Sequence, residues 1–539
     1  MRSFGTHGRV RPEQHYIVSR SKEVADFISR IKDGKYIVLF APRQTGKTTF
    51  FRLALDALTA EDPTYFPIQL DFQTMRNASP TTFYEHFHYM IHRHIAYVFQ
   101  KRGGVLSEML TQFLENTTLT DHLSMVKFFE NLASLLDSDD HQGVPAFKRV
   151  VLLIDEFDGI PKTVVSDFLY ALRQIYLSDE MQCPHSVGIV GVKSITQLDY
   201  DRSISPFNIQ DEFRLPNFMV EQVQELFGQY TAEVGQDFAL EVIEALHKQT
   251  AGQPFLVNRC AQVLTEELDI PKTETITMVD FAKAHKRLLA EGNTNIDHLR
   301  TNVLRDRRFE TLLLQIASYE NGLPFSPDDP LVNELVTYGV IAEGVDGMCE
   351  IVNPIYQHRI LQIFKPTFNG LENVYFPEDS GENFIDYLTP IGQLEMESLL
   401  DNFQAFIARV GFRILQVPDT PQEYVGQHLL YAYLDHFVRV VGADMFLEVQ
   451  TGRGRIDLLI IHNQRKYIVE TKVWEGVRYY QAGKKQFAAY MKLETAVEGY
   501  YVVFDHRQNP EAQVETEDVD GVEIRSYVIP VLQRPPSAV

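Results

Sequence analysis

Apolar runs and helical spacings alternate along the first 215 residues of this chain. Tyr36 to Phe40 (YIVLF), Phe66 to Phe72 (FPIQLDF), the apolar part of Arg149 to Asp158 (RVVLLIDEFD) and His185 to Val192 are short and nearly unbroken, the pattern of strands buried on both faces. Asn208 to Leu215 closes the predicted sheet. Between them, Val24, Phe27, Ile28 and Ile31 recur at helical spacing, Thr48 to Leu58 reads as a second helix, and Thr81 to Gln100 as a long one rich in His and aromatic residues. Strands that alternate with helices predict an α/β fold with a parallel sheet.

The pattern then changes. Val220 to Ala232, Phe238 to Gln249 and Phe255 to Leu268 read as three helices. From Arg308 to Phe364 a helix, a short helix and the stretch VIAEGVDGMCEIVNP predict a winged-helix-like module ending in a small β-hairpin. Its second helix, PLVNELVT from Pro330 to Thr337, is not basic, so the module reads as a packing or regulatory element rather than a DNA reader. Lys365 to Glu382 is rich in Pro, Gly, Asn and acid, the composition of a linker. After a helix around Leu394 to Val410, Met445 to Val473 reads as three strands joined by short turns. The expected organisation is a core over 1–215, a helical lid over 216–306, the winged-helix-like module over 307–364, a linker over 365–390 and a C-terminal α/β domain over 391–539.

Composition narrows the function. With 539 residues, 45% of them hydrophobic and 23% charged, the chain has ample material for several cores. No apolar run approaches a membrane span, and the N-terminal MRSFGTHGRV lacks the apolar stretch of a signal peptide, so a cytoplasmic protein with no membrane partner is expected. Cys183, Cys260 and Cys349 are too few and too scattered for a disulfide framework or a CxxC metal site. A net charge of −23 argues against binding polyanions over the whole surface, so any nucleic-acid contact must be local. His88 and His92 share a helix face at zinc-ligand spacing, but no third ligand accompanies them and a polar helix face is the better reading.

Two stretches carry chemistry. Between the strand Tyr36 to Phe40 and the helix after it lies APRQTGKTT, a phosphate-binding loop with Ala41 where the usual first glycine stands. Backbone N–H groups over Pro42, Arg43, Gln44, Thr45, Gly46, Lys47, Thr48 and Thr49 can cradle a polyphosphate, with Lys47 on the β/γ-phosphates and Thr48 on Mg²⁺. The strand RVVLLIDEFD ends in two carboxylates, as a Walker B strand does. If it lies beside the loop strand, Asp155 comes near the Mg²⁺ and Glu156 can polarise the water that attacks the γ-phosphate. Lys193 and Ser194 are candidates for sensing that phosphate, and Arg202 for an arginine finger. APRQTGKT resembles the PRxxGKT loops of AAA-like ATPases near the STAND group. AGQPFLVN resembles the lid segment of such proteins, with Gly252 and Pro254 matching its GxP element.

The second stretch lies in the predicted hairpins. Glu470 and Lys472 are two apart and share a strand face, and a hairpin can bring Asp457 alongside them. Two carboxylates and a lysine suit one or two hard divalent cations, Mg²⁺ or Mn²⁺. Arg453, Arg455, Arg465, Lys466, Arg478, Lys484, Lys485 and Lys492 gather around these strands, interleaved with Tyr479, Tyr480, Tyr490 and Trp474, a local surface for a phosphodiester backbone. The D…ExK arrangement resembles the signature of the PD-(D/E)XK nuclease superfamily, with Ile456 in place of its proline. The resemblance implies a restriction-endonuclease-like fold, catalytic roles for Asp457, Glu470 and Lys472, and a QxxxY element at Gln486 and Tyr490 on the next helix. It also implies an acidic residue on an earlier helix, matched by Glu423, with Glu448 the alternative.

Together these expectations describe an AAA-like ATPase joined to a nuclease-like domain. The leading expectation is an ATP-dependent or ATP-gated nuclease with DNA favoured over RNA, a role in defence or mobile-element biology implied by resemblance, and homo-oligomerisation left open. The other readings are a signal-responsive NTPase switch or a nucleic-acid remodeller whose C-terminal domain only binds.

Overall fold

A computed structural model describes the chain apart from residues 1, 7, 9, 43, 139–148, 179–182, 193–208, 292–307, 310–311, 314–315, 317–322, 345–346, 364–386, 390–391, 415–421, 442, 452–453, 464, 497, 508–509 and 532–539. Side chains at 210, 290, 361–363, 409–414, 422–425, 436, 439–440, 448–451 and 454–455 are also outside the description. Two compact units emerge. One comprises Met1–Gly235, Gln253–Gln262 and Thr337–Gly339; the other Gln236–Gly252, Val263–Val336 and Val340–Val539.

After a short parallel pair at Ser3–Phe4 and His15–Tyr16, the first unit continues with α1 (Ser21–Lys32), whose Phe27, Ile28 and Ile31 are buried as the spacing predicts. Next come β1 (Tyr36–Phe40), α2 (Lys47–Glu61), β2 (Tyr65–Asp71) and α3 (Pro80–Lys101). The helices α4 (Glu108–Asn116) and α5 (His122–Ser138) precede β3 (Arg149–Asp155), followed by α6 (Val165–Tyr176), β4 (Ser186–Gly191), β5 (Gln210–Glu212) and α7 (Val220–Val234). All five strands pair in parallel, in the order β2-β3-β4-β1-β5. A separate core fills each face of this sheet. Phe72, Phe83, Phe87 and Phe168 anchor one, and Phe27, Phe50, Phe51 and Leu55 the other. That two-sided burial is why the strands read as continuous apolar runs.

The second unit carries α8 (Leu240–Thr250), while α9 (Pro254–Gln262) returns to the first unit and α10 (Met278–Ala290) belongs to the second again. Then follow α11 (Pro330–Thr337), the antiparallel hairpin of β6 (Ile341–Glu343) and β7 (Cys349–Ile351), and α12 (Pro354–Ile363). The hairpin is where the sequence predicts it. The C-terminal domain consists of α13 (Met396–Ile414), α14 (Gln422–Val441), β8 (Asp444–Thr451), β9 (Gly454–His462), β10 (Arg465–Val473), α15 (Val477–Glu494), β11 (Glu498–Asp505), β12 (Gln513–Val519) and β13 (Val522–Pro530). Its six strands form one mixed sheet, β8-β9-β10-β11-β13-β12, antiparallel through β10 and parallel across β10-β11-β13. Among the described residues no helix is long and apolar enough to cross a membrane, and all three cysteines are free and buried.

Candidate functional site

In the first unit the turn between β1 and α2 needs positive φ twice, at Gln44 (60°) and Gly46 (83°). Gly46 therefore ends the loop in a conformation glycine adopts without strain, and α2 starts directly at Lys47. The Lys47 ammonium is buried and donates to the carbonyls of Ala41 at 2.7 Å and Pro42 at 2.8 Å, folding the lysine over its own loop. Thr48 Oγ1 donates to Asp155 Oδ2 at 2.9 Å. The two strands behind this contact are not neighbours, contrary to the sequence expectation: β4 lies between β1 and β3. At the end of β4, Gly191 stands beside the site. A Cβ at Gly191 would lie 2.9 Å from Asp158 Oδ2, so that carboxylate occupies the space a side chain would fill. Asp158 Oδ2 also accepts the Val192 N–H at 2.6 Å, tying the end of β4 to the turn after β3.

Glu156 has φ 51° and ψ 45°, a left-handed conformation uncommon for a residue with a side chain. Strain of this kind persists where surrounding contacts over-determine it. Here Asp155 Oδ1 accepts the Glu156 N–H at 3.0 Å, and a Cβ at Gly159 would meet the Phe72 carbonyl at 2.0 Å, so the turn is locked from both ends.

A cavity of about 530 Å³ opens onto these groups. Gln44, Lys47, Thr48, Glu156 and Asp158 make one end polar, and Val10, Ile17, Phe218, Leu226, Pro254 and Phe255 make the other apolar, which suits a nucleotide's phosphates and base. Sequence reasoning missed several lining residues. Gln73 and Arg76 follow β2 with no motif to announce them. Arg20 is 4% exposed, lies 4.7 Å over the Phe218 ring and donates to the Pro216 carbonyl at 2.8 Å, while its Nη2 has no partner among the described residues. Burial pushes its guanidinium down to about 10. Of the expected loop residues, Arg43 lies outside the described residues, as do Lys193, Ser194 and Arg202.

In the C-terminal domain the hairpin register brings the predicted acids together. The β9-β10 ladder runs from His462–Arg465 to Leu458–Val469 and stops there, one pair short of Asp457 and Glu470. The Thr471 N–H instead donates to Asp457 Oδ2 at 2.6 Å, and Thr471 Oγ1 donates to the same oxygen at 2.6 Å. Lys472 Nζ lies 3.0 Å from Glu470 Oε1. Burial first, then repulsion from Asp457, pushes the Glu470 carboxyl up to about 7, against a smaller downward pull from Lys472. Glu470 Oε2 is buried with no hydrogen-bond partner among the described residues.

The helix α15 lies over this face. A Cβ at Gly483 would meet the Tyr501 hydroxyl at 2.1 Å, and Tyr501 sits opposite Glu470 on β11. The same helix bears the predicted pair: Gln486 Nε2 donates to the Tyr490 hydroxyl at 2.5 Å. Burial first, then the charges of Glu470 and Asp457, raise the Tyr490 hydroxyl, while the Gln486 hydrogen bond and Lys472 pull it down. Glu423 lies on α14, but its side chain and that of Glu448 are outside the described residues. No group of three or more His, Cys, Asp or Glu able to hold a metal occurs among the described residues. For a divalent cation, the C-terminal donors fit in one respect: two carboxylates converge, and the buried orphan oxygen of Glu470 is the sort of group a cation satisfies.

The predicted basic surface is partly internal. Lys484 is fully buried and ion-paired to Glu515 and Glu517, Arg465 pairs with Glu498, Lys466 with Glu494, and Lys492 Nζ donates to the Asp520 carbonyl. Burial alone would lower Lys484, yet its hydrogen bonds to the two glutamates and Tyr480 carry it above its ordinary value. Arg478 and Lys485 are exposed on α15; Arg453 and the Arg455 side chain lie outside the described residues.

A parallel five-stranded sheet with a phosphate loop after β1 and an acidic pair after β3 is a P-loop NTPase core. The chain belongs to the AAA-like domain family, which it matches over residues 6–291. Residues 393–508 match a domain of unknown function. No curated protein matches the chain. Similar solved structures include the Walker-type ATPase of Pyrococcus abyssi, at 16% identity and a TM-score of 0.44, covering 66% of this chain and 99% of that one. The Orc1 protein of Aeropyrum pernix in complex with DNA matches at 14% identity and a TM-score of 0.30, covering 64% and 93%. The RuvB Holliday junction branch migration motor of Thermotoga maritima matches at 15% identity and a TM-score of 0.29, covering 63% and 93%.

Proposed function

We propose that this AAA-like P-loop ATPase is an ATP-dependent or ATP-gated nuclease, hydrolysing nucleic-acid phosphodiester bonds with DNA favoured over RNA. The observation that carries the reading is the carboxylate of Glu470, whose Oε2 is buried with no hydrogen-bond partner among the described residues while its Oε1 lies 3.0 Å from Lys472 Nζ. An isolated structural ion pair would have no use for a second acid and an unsatisfied oxygen, because a buried polar atom without a partner is destabilising.

In this reading Asp457 and Glu470 would hold Mg²⁺ or Mn²⁺, which would supply charge stabilisation at the scissile phosphate and a water of lowered pKa. Thr471 would aim Asp457, and Lys472 Nζ would hold the attacking water and neutralise charge developing on the phosphate. Gln486 and Tyr490 would orient the substrate backbone from α15. At the nucleotide site, Lys47 and the loop N–H groups would hold the ATP phosphates, Thr48 and Asp155 would hold Mg²⁺, and Glu156 would polarise the hydrolytic water.

The test is incubation of the full chain with linear DNA, circular DNA and RNA, each with and without ATP and with Mg²⁺ or Mn²⁺. Metal-dependent ends that vanish in Lys472→Ala support the proposal. Undamaged substrates under every condition would sink it. One observation favours a second reading, a nucleotide-driven switch whose C-terminal domain binds without cutting: Lys484, Arg465 and Lys466 are engaged by internal acids and contribute less to a polyanion surface than their number suggests. Retained DNA binding without cleavage would decide for it.

A further inference from the structure

The compact units do not follow the family boundary. The AAA-like match runs to residue 291, yet Gln236–Gly252 and the stretch from Val263 group with the C-terminal sheet, while Gln253–Gln262 and Thr337–Gly339 group with the nucleotide core. Both short returns end beside the phosphate loop. Pro254, Phe255 and Asn258 line the nucleotide cavity, and a Cβ at Gly339 (φ +70°) would lie 2.4 Å from Pro42 Cγ. Each return is continuous with chain that packs in the other unit.

On that other side, α8 is pinned to the elements that carry the acids. Lys248 Nζ lies 3.2 Å from Glu494 Oε1, and the same Glu494, 8% exposed in its side chain, accepts Lys466 Nζ at its backbone carbonyl (3.1 Å) and at Oε2 (3.4 Å). Lys466 lies on β10, the strand of Glu470 and Lys472; Glu494 ends α15, the helix of Gln486 and Tyr490. One carboxylate therefore joins three elements. The helix α10 adds a second anchor: Phe281 stacks on Phe446 of β8 with ring centroids 6.2 Å apart, and His285 bonds Gln249 of α8 at 3.0 Å.

The link between α8 and α9 is three residues long. Ala251 and Gly252 have φ of 46° and 66°, and Thr250 Oγ1 accepts the Gly252 N–H at 3.2 Å while donating to the Leu246 carbonyl at 2.8 Å. Pro254 and Phe255, which line the nucleotide cavity, follow α8 after three residues, so the chain at the cavity runs directly into the helix of Lys248. We infer that Lys248 and Glu494 form a positioning pair through which nucleotide occupancy regulates the Asp457–Glu470–Lys472 centre, an inference that rests on the nuclease reading for its output. The coupling requires that nucleotide favour one arrangement of α8 over another, since a ligand shifts an equilibrium only by its differential affinity.

The Lys248 side chain is 39% exposed, so replacing it leaves the fold intact. The experiment compares full-length wild type, Lys248→Met and Lys248→Arg for ATP hydrolysis, basal cleavage and cleavage with ATP, and for hydrogen exchange in peptides spanning 465–473 and 477–494 with and without ATPγS. Lys248→Met is expected to keep ATP hydrolysis and basal cleavage but to reduce the effect of ATP on cleavage by about fivefold or more, within the range of ordinary coupling factors. It should also lose the ATPγS-induced exchange change, and Lys248→Arg should keep both. A Lys248→Met protein with wild-type ATP response and wild-type exchange overturns the inference. If no nucleic acid is cut by the wild type, yet the exchange response is present and depends on Lys248, the nuclease reading fails and the coupling stands.

Discussion

Thr471 donates two hydrogen bonds to Asp457, from its N–H and from its hydroxyl, both at 2.6 Å to Oδ2. They stand where the β9-β10 ladder has ended, so a side chain replaces the carbonyl that would ordinarily receive the Thr471 N–H. The acid is thereby oriented by the residue between Glu470 and Lys472. Thr471→Val keeps the branched shape and the N–H but loses the hydroxyl bond, at about 1 kcal/mol of stability. Cleavage is expected to fall about tenfold, a modest loss of orientation at a reacting centre, and Thr471→Ser should restore it. Single-turnover rates beside melting curves provide the check; wild-type cleavage by Thr471→Val would show that Asp457 needs no such support.

Under the proposed reading, ATP hydrolysis and nucleic-acid cleavage use different residues and should be separable by mutation. Lys47 bridges the Ala41 and Pro42 carbonyls, and Glu156 is held in a strained conformation at the mouth of the same cavity. Glu156→Gln is expected to lower ATP hydrolysis about a hundredfold or more while leaving ATP binding, because general-base losses have that size. Lys47→Ala should abolish hydrolysis. Asp457→Ala should abolish cleavage and leave phosphate release from ATP unchanged. Loss of both activities in either single variant, with the protein still folded, would mean that the two centres are not independent.

Legibility in the sequence followed the range of the interaction. The pairing of Asp457 with Glu470 and Lys472 was readable because a hairpin and period-two geometry are local rules. Thr471 was not, since nothing in the residue order says where a ladder stops. Lys484 looked like a surface cation because its partners, Glu515 and Glu517, lie 31 and 33 residues downstream on an edge strand. Four of the five strands of the nucleotide core are readable from their apolar runs, whereas the polar β5 is not, and neither is the insertion of β4 between β1 and β3, because hydropathy reports burial and not neighbours. Arg20 illustrates the same limit. A lone arginine before a helix carries no signal until Phe218 and Pro216 enclose it.

The raised carboxyl of Glu470 has a definite consequence for pH. Its folded-state value, about 7, lies above the ordinary 4.5, so the folded form binds the proton more tightly than the unfolded form does. Stability associated with this group is fully present below about 4.5 and is lost as pH rises towards and through about 7. Metal-free protein should therefore melt at a lower temperature at pH 7.5 than at pH 5.5 in the transition of the C-terminal domain, and Glu470→Gln should flatten that difference. The same proton competes with a cation, so Mn²⁺ affinity measured by calorimetry should weaken by up to about tenfold per unit below pH 7. A Glu470→Gln protein with an unaltered melting profile between those pH values would assign the dependence to other groups.

Over the acid face Gly483 on α15 packs close against the Tyr501 hydroxyl on β11, where an added Cβ would sit 2.1 Å from the oxygen and 3.0 Å from Cζ. Gly483→Ala must therefore push the helix away from the sheet or swing Tyr501 aside. Either response moves Gln486 and Tyr490 relative to Glu470, since all are carried by these two elements and by β10, which pairs Glu470 with Tyr501. Overpacking of this kind is expected to destabilise by about 1–3 kcal/mol and to lower cleavage more than substrate binding. The clash is mainly with the hydroxyl, so Gly483→Ala combined with Tyr501→Phe should recover part of both losses, a coupling that a double-mutant cycle measures directly. Additive effects of the two substitutions would mean that the helix settles elsewhere and that its closeness to Tyr501 does not set the geometry of the centre.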